Sequence, residues 1–241
     1  MGLPPGRPFP AAEGAMSRRP SKWPGRSWSI LNSKYIREAA ASRGEALRRA
    51  GIAPAPALLE AISTYIELLL RWNRKINLTA ITDPHEIVAR NFAESFLAAP
   101  WLGSEAGHLA DIGSGAGFPG LALKLILPHW SVTLLESSSK KAAFLSEAVR
   151  TLHLMRVEVE CSRCEESKIS PESLDAVTAR ALGEYRSLAD WARTRLKSKG
   201  KLLLWIGARE AERLRSQPGW HWQIEAVPDS RERVLLIGSR P

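Results

Sequence analysis

The segment His108-Leu109-Ala110-Asp111-Ile112-Gly113-Ser114-Gly115-Ala116-Gly117-Phe118-Pro119-Gly120 constrains this chain more than any other. A short apolar run ends in an acid and one more apolar residue, and four glycines then fall within eight positions. The pattern predicts a strand, a tight loop and a helix in succession. Glycines at alternate positions strip the Cβ atoms from one side of the loop, so a ligand can lie against bare backbone. The helix N-terminus that follows adds unpaired N–H groups and a partial positive charge. A plain strand-to-helix turn does not need four glycines.

Two cofactor classes use such a loop. Gly115-x-Gly117-x-x-Gly120 fits the dinucleotide fingerprint. Asp111 favours the other class: a carboxylate at the strand's end can meet the methionine ammonium of S-adenosylmethionine, whereas it would repel a pyrophosphate. The order apolar-acid-apolar-Gly-x-Gly-x-Gly resembles the first motif of the S-adenosylmethionine-dependent methyltransferases. Residues 131–136 read as a second strand ending in Glu136, an acid suited to ribose hydroxyls in either class.

The chain of 241 residues is long enough for one main domain with an extension. No apolar run approaches the ~20 residues of a membrane helix, and the N-terminal stretch lacks the apolar core of a secretory signal. A cytoplasmic protein is expected. The net charge of +9 is unevenly spread. Residues 1–50 hold ten Lys or Arg against three Glu, and the remainder is close to balanced. This basicity favours a polyanionic partner. Cys161 and Cys164 form a lone C-x-x-C, half of a zinc site with no second pair, so two reduced thiols and no metal are expected.

Residues 1–33, rich in Pro, Gly and Arg, are expected to be a disordered basic tail. Residues 34–100 read as a helical segment packing on the core, with helices at 34–50, 56–73 and 84–99. The middle one carries Ile62, Tyr65, Ile66 and Leu69 at three- and four-residue spacing. Asp83 and Pro84 supply an N-cap and first turn for the third. Residues 101–241 read as the methyltransferase domain. Strands are expected at 108–112, 131–136, 156–161, 174–179, 200–206, 222–227 and 232–238, with helices at 119–127, 138–153, 184–197 and 207–216. The alternation implies an α/β, Rossmann-like fold with a mostly parallel sheet covered on both faces. The Pro228-Asp229-Ser230 turn should make the last two strands an antiparallel hairpin.

Four segments together carry a narrower resemblance: Trp72-Asn73-Arg74-Lys75-Ile76-Asn77-Leu78-Thr79-Ala80-Ile81, the glycine loop with its Phe118-Pro119-Gly120 end, Arg163-Cys164-Glu165-Glu166, and Ala179-Arg180-Ala181. Over roughly residues 45–240 the chain resembles the bacterial 16S ribosomal RNA guanine-N7 methyltransferases, also called glucose-inhibited division protein B. The resemblance implies S-adenosylmethionine as cofactor and 16S ribosomal RNA or the small ribosomal subunit as partner, with no membrane. A monomer is the expected working unit. By the resemblance, Gly113, Phe118, Glu136, Cys164, Glu165 and Arg180 meet the cofactor, joining Asp111 and Gly115 from the reading above. The family commonly has His and Asp where this chain has Asn91 and Glu94, Val or Ala at Cys164, and Lys before Gly207.

Guanine N7 presents a lone pair with no proton to remove, so attack on the sulfonium methyl needs no general base. Positioning and electrostatics then supply most of the rate. Residues 177–181 (Val-Thr-Ala-Arg-Ala) lack the Asp/Asn-Pro-Pro-aromatic motif used for exocyclic amines, and neither cysteine follows a proline as in pyrimidine C5 chemistry. Arg180 is the residue expected beside the reacting groups, with a structural ion pair to Glu165 or Asp175 as its plainer role. Lys140, Lys141, Arg74 and Lys75 are candidates for gripping RNA. Trp220 and Trp222 are expected to pack rather than stack on bases. Three other readings compete: a methyltransferase for another RNA site or a small molecule, a non-catalytic RNA-binding assembly factor, and, last, a nicotinamide oxidoreductase.

Overall fold

Apolar residues run almost unbroken through the strand segments, as they must when helices cover both faces of a sheet. The computed structural model describes residues 27–103 and 105–241. Its strands are β1 (His108–Ile112), β2 (Ser131–Leu135), β3 (Val157–Glu160), β4 (Leu174–Arg180), β5 (Leu196–Gly207), β6 (His221–Ala226) and β7 (Arg233–Ser239). They form one sheet in the order β3-β2-β1-β4-β5-β7-β6. The first five are parallel. β7 inserts antiparallel between β5 and the edge strand β6. All seven expected strands are present, and the last two form the expected antiparallel pair.

Alternate strand residues feed two cores, following the two-residue period of a strand. Leu109, Leu134, Ala176, Leu203 and Leu235 join one, beneath α3 (Pro56–Asn73), α7 (Gly120–Ile126) and α8 (Ser139–Thr151). Ala110, Leu135, Val177, Leu204 and Leu236 join the other, beneath α9 (Tyr185–Arg195) and α10 (Ala208–Arg215). The N-terminal helices belong to the first core through Ile36, Leu47, Tyr65, Ile66 and Phe92. Trp220 and Trp222 stack at 5.2 Å between ring centroids over Gly238, where a Cβ would approach them to 2.8 and 2.6 Å. They pack, as expected.

Two helices differ from expectation. The segment 34–50 is divided into α1 (Ser27–Ser42) and α2 (Gly44–Arg49), since Arg43 leaves helical geometry at φ −91°, ψ 12°. The single helix expected at 84–99 is broken into α4 (Pro84–Glu86), a π-helical stretch Ile87–Ala93, α5 (Glu94–Phe96) and α6 (Ala99–Leu102). Asp83 does cap α4, accepting from the Glu86 amide at 3.0 Å. The π stretch loosens the backbone, and the freed polar groups find outside partners: Arg180 donates to the Arg90 carbonyl at 2.8 Å. The expected disordered tail lies outside the described residues as far as residue 26; from Ser27 the chain is helical.

Candidate active site

The glycine loop follows β1 at the carboxyl edge of the sheet, where open α/β folds place their ligands. Gly113, Gly115 and Gly117 all adopt positive φ (66°, 55° and 80°), which other residues reach only with strain. The loop is pinned from three sides. Gly113 and Ser114 amides donate to the Leu135 carbonyl at 2.9 and 3.0 Å. The Gly115 amide donates to Glu136 Oε2 at 2.9 Å, while Glu136 Oε1 accepts from the Ser138 amide at 2.8 Å. From beneath, Tyr65 donates its hydroxyl to the Ala116 carbonyl at 2.5 Å. Burial and the nearby Asp111 push the Tyr65 pKa well up, so the phenol stays a donor. A Cβ on Gly117 would lie 2.0 Å from the Tyr65 hydroxyl oxygen.

A cleft of about 300 Å³ opens beside this loop, lined by Gly113, Ser137, Cys164, Glu165, Leu182 and Glu184 among others. That volume sits at the lower end of small-molecule sites, roughly 300–1,000 Å³. Main-chain glycine on one wall and a short polar loop, residues 162–165, on the other suit a nucleoside-bearing cofactor. A Cβ on Gly113 would meet Leu182 at 2.6 Å and narrow the cleft. Burial and Glu165 push the Cys164 thiol to about 11, so it stays protonated at neutral pH and is no nucleophile. Cys161 and Cys164 are both free thiols.

Of the expected cofactor residues, Gly113, Cys164 and Glu165 line the cleft together. Gly115 and Glu136 stand behind it as a hydrogen-bonded pair. The Phe118 ring is turned into the core, 5.4 Å from the Tyr65 ring and 5.0 Å from Phe92. Asp111 is wholly buried under the loop, with Oδ1 accepting from Thr178 at 2.7 Å. Its Oδ2 lies against Gly120 at the start of α7, outside normal hydrogen-bond geometry. Burial raises its pKa to about 6. The carboxylate that was expected to face an ammonium instead braces loop, strand and helix from within.

Arg180 leaves the end of β4 on the other side of the loop. It pairs with Glu94 Oε2 at 3.3 Å, and Arg233 takes Oε1 at 2.8 Å. The Trp205 indole donates to the Glu94 carbonyl at 2.7 Å. The Arg180 side chain is 17% exposed and that of Glu94 6%. Neither anticipated partner of Arg180 is used. Asp175 sits five residues earlier on β4, about 16 Å away along a strand, and binds Lys197 at 2.8 Å at the opposite edge of the sheet. Glu165 belongs to the cleft wall. Sequence reasoning marked Glu94 only as a departure from pattern and missed Arg90, Arg233, Trp205 and Tyr65. Tyr65 carried a signal, since its spacing put it on the buried face of α3.

The Trp72–Ile81 run is a clamp for its own loop. Asn73 Oδ1 accepts from the Leu78 and Thr79 amides at 2.9 and 3.0 Å, and Nδ2 donates to the Thr79 carbonyl at 2.9 Å. Trp72 and Arg71 tie the end of α3 to Glu147 of α8, at 3.0 and 2.8 Å. Arg74, Lys75 and Lys140 are exposed and Lys141 half-buried. None of the four has an ion pair among the described residues.

Residues 58–230 match the family model described as rRNA small subunit methyltransferase G. The ribosomal RNA small subunit methyltransferase G of Xylella fastidiosa is 42% identical over 169 residues, spanning 68% of this chain and 75% of that protein. The same enzyme of Halorhodospira halophila is 42% identical over 164 residues, spanning 68% and 76%. Among solved structures, a SAM dependent methyltransferase from Aquifex aeolicus shares the fold at a TM-score of 0.53 and 15% identity, over 64% of this chain and 92% of that one. The glycine loop, the sheet order and these matches converge: the chain belongs to the rRNA small subunit methyltransferase G family, S-adenosylmethionine-dependent enzymes that methylate small-subunit ribosomal RNA.

Proposed function

We propose that the protein transfers a methyl group to N7 of one guanine in 16S ribosomal RNA by in-line displacement without a general base, working as a monomer in the cytoplasm. One observation carries the reading: the carboxylate next to Arg180, that of Glu94, has each oxygen engaged by an arginine and presents no open face to an acceptor. An acceptor with a proton to lose would need such a group. A guanine N7 would not.

S-adenosylmethionine, when bound, supplies a methyl group already activated by the sulfonium charge. The chain's own residues hold and orient. Gly113, Cys164 and Glu165 form the walls of its cleft. Glu136 fixes the Gly115 amide, and a carboxylate accepting two hydrogen bonds keeps lone pairs for ribose hydroxyls. Gly115 and Phe118 act through their main chain. Asp111 acts as a positioning residue. Arg180, held rigid by Glu94 and the Arg90 carbonyl, directs its remaining N–H groups at the guanine O6 edge or a neighbouring oxygen. Arg74, Lys75, Lys140 and Lys141 supply loose phosphate contacts.

Labelled S-adenosylmethionine and ribosomal RNA from a strain lacking the gene test the proposal, with chemical cleavage at N7-methylguanine as the map. One labelled guanine in the small-subunit RNA is expected, reduced about a hundredfold in Arg180→Ala. Label resistant to that cleavage would overturn the N7 assignment.

A further inference from the structure

A second cavity, of about 350 Å³, opens between α2, the π-helical stretch and the turn before β7. Its charged walls are Arg49, Arg90, Glu94, Asp229 and Arg233, and small apolar side chains complete it. None of these residues lines the cofactor cleft. Resting on the reading that RNA is the acceptor, we propose that this cavity is a phosphate subsite for one backbone phosphodiester of the RNA near the target guanine.

The charges are arranged for an anion from outside. Three guanidinium groups face two carboxylates, which leaves the walls net positive. Glu94 is shared between Arg180 and Arg233. Asp229 is 86% exposed and meets Arg49 only at 3.4 Å, a contact that water largely screens. Arg90 has no ion pair and no side-chain hydrogen bond among the described residues. Its Nε is buried without a partner, and so is that of Arg233. These Nε atoms are closed off from water, so an anion in the cavity meets the arginines through their terminal N–H groups. Arginine's planar fork matches phosphate oxygens pairwise.

The cavity also stands in register with the reaction. Glu94 is its wall and, through its other oxygen, the anchor of Arg180. The Arg90 carbonyl binds Arg180, while its side chain lines the cavity. A phosphate seated here therefore meets Arg90, whose own carbonyl positions Arg180, and Arg233, which shares Glu94 with it. The π stretch is what allows this, with one face of the segment Arg90–Glu94 serving the cavity and another serving Arg180.

The test uses the full chain, small-subunit RNA and S-adenosylmethionine, reading the KM for RNA, the salt dependence of RNA binding and the Kd for S-adenosylmethionine. Arg90→Gln should raise the RNA KM about tenfold and lower the slope of log affinity against log salt by about 0.7–0.9, leaving the cofactor Kd unchanged. Exposed Arg49→Gln, which carries no folding risk, should move both quantities the same way by a smaller amount. Asp229→Asn, by removing a negative charge from the wall and leaving Arg49 only its 3.7 Å contact with Glu45, should lower the RNA KM a few-fold. Unchanged RNA KM and salt slope in Arg49→Gln and Asp229→Asn overturn the subsite. So does loss of inorganic phosphate binding in Arg49→Gln with RNA affinity intact, which would mark a site for a free anion. Failure of the wild-type protein to methylate the RNA defeats the acceptor reading itself, whereas wild-type methylation with indifferent variants defeats the subsite alone.

Discussion

The two halves of the sheet's carboxyl edge are built of different materials. Beside β1 and β2 the surface is main chain: glycines at positive φ, amides tied to Leu135 and Glu136, and a loop propped by Tyr65. Beside β4, β5 and β7 it is side chain: Arg180 and Arg233 converge on Glu94, with Arg90 alongside. The first suits a small ligand that never varies, because backbone amides cannot drift between rotamers. The second suits a large polyanion, whose phosphates are best met by forked cations. The N-terminal helices serve both, sending Tyr65 under the loop and Glu94 between the arginines.

Gly117→Ala is the sharpest way to break the first half. The new Cβ would overlap the Tyr65 hydroxyl and press on Leu121 at 2.9 Å, at a φ of 80°. Overpacking and left-handed strain together should cost about 5 kcal/mol, and S-adenosylmethionine binding should vanish in calorimetry. Retained affinity would show that the loop can move off its prop.

Glu94→Gln breaks the second half. It strands two arginines around a neutral amide and should cost about 4 kcal/mol in a urea titration. In the variant that remains folded, RNA methylation should fall while cofactor affinity holds. Glu94→Asp, which keeps the carboxylate, should recover most of the loss. Equal damage to cofactor binding would mean that the two halves are not separate.

Asp111 offers the smallest effect and a pH signature. Its pKa is about 6 in the folded protein against an ordinary 3.8, so the folded state holds the proton more tightly. The stability this group contributes is full below pH 4 and is lost as pH rises through 6. Asp111→Asn removes that dependence. Its stability relative to wild type should therefore climb by at most about 3 kcal/mol between pH 4 and 7. A flat difference would place the Asp111 carboxylate in contact with water.

The legible parts of this protein are those whose cause is local. Four glycines after an apolar run dictate a strand, a loop of positive φ and a helix, whatever the rest of the chain does. Two-residue and 3.6-residue periods likewise announced seven strands and the buried face of α3. The broken helix at 84–102 was not announced, because its apolar spacing is that of an ordinary helix and the π stretch becomes affordable only where Arg180 takes a freed carbonyl.

By itself, the sequence determined the cofactor loop, the alternation of strands and helices, and the family, since each is written in short motifs that can be read one at a time. Only the tertiary structure decided what Asp111 and Arg180 touch. Asp111 turned inward because α7 and Thr178 close over it, and no neighbour in sequence reports that burial. Arg180 found Glu94 and, through it, Arg233, across separations of 86 and 139 residues. Pairings of that range depend on how the sheet and its helical cover come together, a property of packing that local pattern does not encode.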